Sequence, residues 1–155
     1  MFINLDATQG EWFEFFSSTV NPDTGIIEYG KPVKGARAEI RSITPFYEEL
    51  MAAKKPSIER VINSKTHKMD RIEFYPAQTV EEIKAERGDA WDYAIVNFEG
   101  FKDKATQKVL ECTRENKIAM MKNPVFDRFV ARCLQILGES GVQEKETKAK
   151  NSLKS

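Results

Sequence analysis

The chain has one histidine and two cysteines, no excess of charge of either sign, and no long apolar run. Each shortage excludes a class of function. His67 lies in a polar stretch between Lys65 and Lys68, whose charges disfavour a protonated imidazole, so it reads as a solvated loop residue. Neither Cys112 nor Cys133 belongs to a CxxC pair, which removes zinc-ribbon and thioredoxin-type motifs. Both read as reduced, buried thiols, one at a strand end and one on the apolar face of a helix. No GxxxxGK[ST] or GxGxxG occurs, so phosphate cradles are missing. No segment approaches the ~20 apolar residues of a membrane span. The first thirty residues contain no Lys or Arg, hence no basic start of a signal peptide, and a cytoplasmic protein without membrane contact is expected. With 24 acids balancing 24 bases, a dedicated nucleic-acid binder is disfavoured. The same abundance makes chance carboxylate pairs inevitable, so the acidic stretch Glu81 to Asp103 carries no acid–base assignment. The expectation is a chain with no catalytic residue, no metal ligand and no cofactor.

What is present is an ordinary globular composition, 41% hydrophobic and 31% charged over 155 residues, enough for one domain with an appendage. Residues 11–43 read as β structure. Glu11 to Phe16 is aromatic-rich, Asn21-Pro22-Asp23-Thr24-Gly25 is turn chemistry, Ile26 to Tyr29 returns, and Ala36 to Ile43 alternates with period two. A three-stranded meander is predicted there. Thr44-Pro45 starts a helix to Lys54, with Thr44 as cap and Phe46, Leu50 and Ala53 on one side. Ile58 to Ile62 and Arg71 to Tyr75 read as a second hairpin around the polar connection Asn63 to Asp70, the alternative being that the first arm prolongs the helical region.

Thr79-Val80-Glu81-Glu82 is a capping box. Gly88 reads as a break, with Asp89 capping a second helical segment in which Trp91, Ala94, Ile95 and Phe98 fall at i, i+3, i+4 and i+7. Phe101 to Cys112 reads as a small hairpin or loop. Thr113 and Asn123-Pro124 cap two further helices. The second of these carries the stripe Val125, Phe126, Phe129, Val130, Cys133, Leu134 and Leu137 and ends at Gly138 as a left-handed terminator. The fold class is therefore α+β: N-terminal antiparallel strands, a meander and a hairpin, packed with C-terminal helices. Residues 1–138 form one domain. Residues 139–155 are charged, nearly free of apolar side chains, and predicted to be a disordered tail.

Charge is segregated along the chain. Residues 1–30 hold five acids and no base, residues 31–68 nine bases against four acids, and residues 69–111 ten acids against six bases. Such alternation favours complementary docking within the fold or between copies, and zero net charge leaves little repulsion between copies. Trp12, Phe13, Phe15 and Phe16 lie within five residues. Neighbours on a strand face opposite ways, so one side of that strand needs cover, either from a partner or from the chain's own loops. With Trp91 and Phe101 they are the candidate partner-binding residues, and a homo-oligomer is expected.

The run Asp89 to Phe101, followed by Cys112-Thr113-Arg114-Glu115-Asn116-Lys117 and the helix Pro124 to Leu137, resembles the tail assembly chaperones of long-tailed bacteriophages and prophages. The likeness spans roughly Ala36 to Gly138, with a polar tail of the kind those proteins carry. It implies a non-enzymatic protein of the host cell cytoplasm. Such a protein binds the long helical tape measure protein, and the tail tube protein as a second partner, and keeps the tape measure soluble while tube subunits polymerise. Members of this family often self-associate. The alternatives are a structural virion protein, such as a head–tail connector or tube subunit, and a regulatory binding module.

Overall fold

The computed structural model describes residues 8–153, with side chains described through residue 139. In chain order the elements are β1 (Glu11–Glu14), β2 (Ser18–Val20), β3 (Ile27–Tyr29), β4 (Arg37–Ile40), α1 (Thr44–Ala53), β5 (Ser57–Ile62), β6 (Met69–Phe74), α2 (Val80–Ala94), β7 (Ile95–Glu99), α3 (Arg114–Met121) and α4 (Pro124–Leu153). The class is α+β, with antiparallel strands in the N-terminal half and the helices mostly in the C-terminal half.

The first four strands nest; they do not meander. The turn Asn21 to Gly25 forms as its chemistry demands, Asn21 Oδ1 accepting from Asp23 N–H at 2.9 Å and Gly25 taking φ +71°. It closes a β2–β3 hairpin, while β1 reaches past that hairpin to pair with β4. Phe15 N–H donates to Ala36 C=O at 2.9 Å and Gly30 N–H to Ser17 C=O at 2.7 Å, carrying the nesting along the chain. Turn signals are local and do not say whether a strand pairs with the next one or with one further on.

The strand β4 is central in the order β1-β4-β7. Its alternation puts Ala38 and Ile40, both fully buried, on the inner face beside Phe98 and Ile95. Arg37 and Glu39 point outward, so the sheet is apolar on one side and polar on the other. The inner face meets α4, whose Phe126, Phe129, Val130 and Cys133 are buried, and Met121 of α3 joins them.

Three of the five predicted caps form. Thr79 Oγ1 accepts from Glu82 N–H at 3.1 Å, Thr113 Oγ1 from Asn116 N–H at 3.2 Å, and Asn123 Oδ1 from Val125 N–H at 2.9 Å. At α1 the cap position is Ile43, and Thr44 is already helical with no side-chain cap bond.

Two helix ends depart from expectation. The glycine at 88 does not break α2, which runs through it to Ala94, so Asp89 is mid-helix and caps nothing. A Cβ at Gly88 would lie 3.1 Å from Ile118 Cδ1 and 3.2 Å from Arg114 Nη2, so side chains of α3 pack directly over the Gly88 backbone. Residues 95–99 are strand β7, not helix: β-branched Ile95 pairs with Ile40, and Asn97, Phe98 and Glu99 pair with Glu39, Ala38 and Arg37, leaving Val96 at a register shift. Trp91, Ala94, Ile95 and Phe98 mimic a helical stripe because a helix end and a strand start face the same core. Gly138 does not terminate α4: its φ is not positive, and the backbone stays helical through Leu153. The tail predicted over residues 139–155 falls almost wholly outside the described side chains, and residues 154–155 lie outside the described chain.

Three polar contacts tie distant segments together. Buried Ser18 accepts from Arg128 Nε at 2.6 Å, and Lys117, also buried, meets Asp92 Oδ1 at 2.9 Å. Arg41 donates to Tyr93 C=O at 2.7 Å and lies 3.7 Å above its ring centre. By contrast α1 has no buried residue, and β5 and β6 pair only with each other. That hairpin projects from the body as an arm, its two ends held near Glu86, which accepts from Gln78 Nε2 at 2.7 Å and lies 3.9 Å from Lys54 Nζ.

Candidate protein-binding site

The aromatic run after Gly10 divides between two faces. Phe13 lies opposite Ala38 and packs against the core, so its neighbour Trp12, opposite Glu39, is on the outer face. There Trp12 is 39% exposed, with the Arg37 guanidinium 4.3 Å from its ring centre and Arg37 also paired with Glu99. The strand ends at Glu14, and this frees Phe15 and Phe16 from strict alternation. Both then reach the same ring, Phe15 at 5.1 Å and Phe16 at 5.0 Å from Phe129. Trp91 is half-buried against the core from α2.

Of the six candidate residues, the fold brings two together at an open surface: Phe15 and Phe101, edge to face at 5.4 Å. They are placed by a pair of glycines. Gly100 takes φ +82° as β7 ends, and a Cβ there would fall on the carbonyl of Gly35, itself at φ +94°. Only glycine allows the two backbones to touch and turns Phe101 onto Phe98 and Phe126, at 5.9 and 5.6 Å. The loop that follows is pinned as a small hairpin. Lys102 bridges Val109, Asp103 N–H donates to Lys108 C=O at 2.9 Å, and Leu110 N–H to Phe101 C=O at 2.9 Å.

Between this loop, α3 and the first turn of α4 lies a groove of about 660 Å³. Its floor is Phe15, Phe101, Leu110, Met120, Val125 and Phe126, and Lys102, Asp103, Lys104, Asn116 and Asn123 form a polar rim. An apolar floor with a mixed-charge rim suits apolar side chains of a polypeptide whose flanks are polar. Leu110 and Met120 carry no signal in the sequence that marks them as groove residues, and Val125 and Phe126 read there as core alone.

The titratable side chains lining the groove are Lys102, Asp103 and Lys104 of its rim. Among the described residues no three His, Cys, Asp or Glu side chains converge as metal ligands. His67 sits at the tip of the arm at φ +54°, its N–H donating to Asn63 C=O at 2.9 Å. The cysteines are not disulfide-linked, and burial pushes the Cys133 thiol up to about 12, against a smaller opposing effect of Arg132. Among the described residues no helix is long and apolar enough to cross a membrane. No protein-family model, curated protein or solved structure matches the chain.

Proposed function

We propose that this chain is a non-enzymatic tail assembly chaperone of a long-tailed phage or prophage, acting in the host cytoplasm. It binds the tape measure protein, keeping it soluble while the tail tube grows. The observation that carries the reading is the apolar groove over Phe15, Phe101 and Phe126. Its 660 Å³ falls among pockets of about 300–1,000 Å³ that enclose a sizeable apolar ligand, enough for several side chains of an amphipathic helix. Helix-in-groove docking hides the apolar stripe of a client that would otherwise aggregate. The resemblance carried by Asp89 to Phe101 and by the capped helix pair points the same way.

Co-expression with the tape measure protein tests it. The native chain is expected to move the tape measure into the soluble fraction. Met120→Glu and Val125→Glu, each charging the groove from a half-buried position, are expected to abolish this while remaining folded. A tape measure equally soluble without the chain, or with either groove variant, would overturn the proposal.

The projecting arm β5–β6 favours a second reading, a structural virion protein that uses the arm between subunits. Purified virions separate the two, because a chaperone is absent from the finished particle and a subunit is retained.

A further inference from the structure

The arm is anomalous for a free protein. A two-stranded hairpin alone is marginally stable in water and normally gains its stability from a third strand or a covering element. Here neither face is covered: Ile62 is 66% exposed, Met69 64%, and Ile58, Val61, Ile72 and Phe74 are exposed as well. The turn is nonetheless well defined, with Asn63 N–H donating to Lys68 C=O at 2.8 Å and Asn63 Oδ1 accepting from Lys65 N–H at 2.9 Å.

The register sorts the side chains, because directly opposite residues of an antiparallel pair share a face. The pairs Ser57↔Phe74, Glu59↔Ile72 and Val61↔Asp70 define one face. The pairs Ile58↔Glu73, Arg60↔Arg71 and Ile62↔Met69 define the other. Each face therefore has three large apolar residues, and they differ in charge. The first has two carboxylates and no base. The second has two bases against one carboxylate, Glu73, and sets its two guanidinium groups directly opposite each other, an arrangement that destabilises a free ladder. Only Arg71 has a described partner, Glu73 at 3.3 Å, while Arg60 makes no ion pair with any described residue.

We propose that the arm is a self-association element: the acidic face of one copy stacks on the basic face of the next. Apolar Val61, Ile72 and Phe74 then meet Ile58, Ile62 and Met69, and Glu59 and Asp70 meet Arg60 and Arg71. Because the two faces differ, the contact is head to tail, and copies join in a closed ring or an open row, not in a two-fold dimer. Acid facing acid rules against stacking two copies of the first face. A six-residue ribbon offers only a few hundred Å² per face, below the ~800 Å² per partner of a standard interface. A single contact is therefore weak, and association strengthens when each copy uses both faces. The proposal does not depend on the client reading.

Light scattering after size-exclusion chromatography, with no client present, is the test. The native chain is expected above its 17.8 kDa monomer mass, growing with concentration and shrinking with added salt. Arg60→Glu/Arg71→Glu makes both faces acidic, and Glu59→Arg/Asp70→Arg makes both basic. Each variant alone is expected at monomer mass, with an unchanged circular dichroism spectrum. Mixed in equal amounts they are expected to associate again, since every acidic face then finds a basic one. Ile62→Ser, which alters no charge, is expected to weaken association as well. A native chain that stays monomeric at high concentration, double variants that associate as the native does, or a mixture that stays monomeric would overturn the proposal. A monomeric native chain whose arm variants lose the tape measure would do so too, and would assign the arm to the client.

Discussion

Phe129 is fully buried, and its ring lies 5.1, 5.0 and 5.8 Å from those of Phe15, Phe16 and Phe126. It joins the N-terminal strands to α4, so its truncation opens a cavity under both. Phe129→Ala is expected to cost on the order of 3–5 kcal/mol in denaturant titration. A silent substitution would mean that this face of α4 is not core. The thiol at position 133 tells the same story chemically. Its pKa lies at about 12 against an ordinary 9.0, because burial penalises the thiolate. The folded state therefore favours the protonated thiol. That stabilisation is whole below pH 9.0 and is lost as pH rises toward about 12. In mildly alkaline solution Cys133 is expected to resist alkylation while half-buried Cys112 reacts first. Peptide mapping after brief labelling reads this directly, and equal labelling of both would contradict the burial.

At the scale of the element, two glycines that look alike in sequence behave oppositely. Gly138 is helical, with open space where a Cβ would stand, whereas Gly100 is left-handed and faces the Gly35 carbonyl. Gly138→Ala is expected to be neutral or to stabilise by up to about 1 kcal/mol, as alanine does within a helix. Gly100→Ala is expected to destabilise by more than about 1 kcal/mol, since it adds backbone strain to a steric clash. Thermal melts of the two variants should move in opposite directions or leave only Gly100→Ala lowered. Were Gly138 a left-handed terminator in solution, its alanine variant would be the damaged one. Elements whose ends are set by local hydrogen bonds were legible from sequence, as Thr79, Thr113, Asn123 and the Asn21 to Gly25 turn show. Residues 95–99 were not, because a stripe at helical spacing fits a helix-to-strand junction equally well when both parts face one core.

For the whole molecule, the apolar stripe of α4 ends at Leu137, and the residues beyond it are mainly charged or polar. A helix without a packed face relies on propensity alone, which is marginal in water. Deleting residues 139–155 is accordingly expected to leave the melting temperature essentially unchanged, and a fall of several degrees would mean that the segment docks on the domain. The candidate site was half legible. Phe15 and Phe101 were named from their aromatic character, while Leu110 and Met120 gained meaning only when the Gly35–Gly100 contact brought loop and helix together. The arm was legible as a hairpin but not as an exposed one. The sequence by itself determined the caps at Thr79, Thr113 and Asn123, the Asn21 to Gly25 turn, the α+β class and the stripe that became the core, because these rest on bonds and periodicities spanning a few residues. Only the tertiary structure decided that β1 pairs with β4, that three of the N-terminal aromatics turn inward, and that the β5–β6 hairpin stands uncovered. Those outcomes depend on contacts such as Ser18 with Arg128, 110 positions apart. Such contacts depend on how whole elements fill space against one another, which no local pattern records.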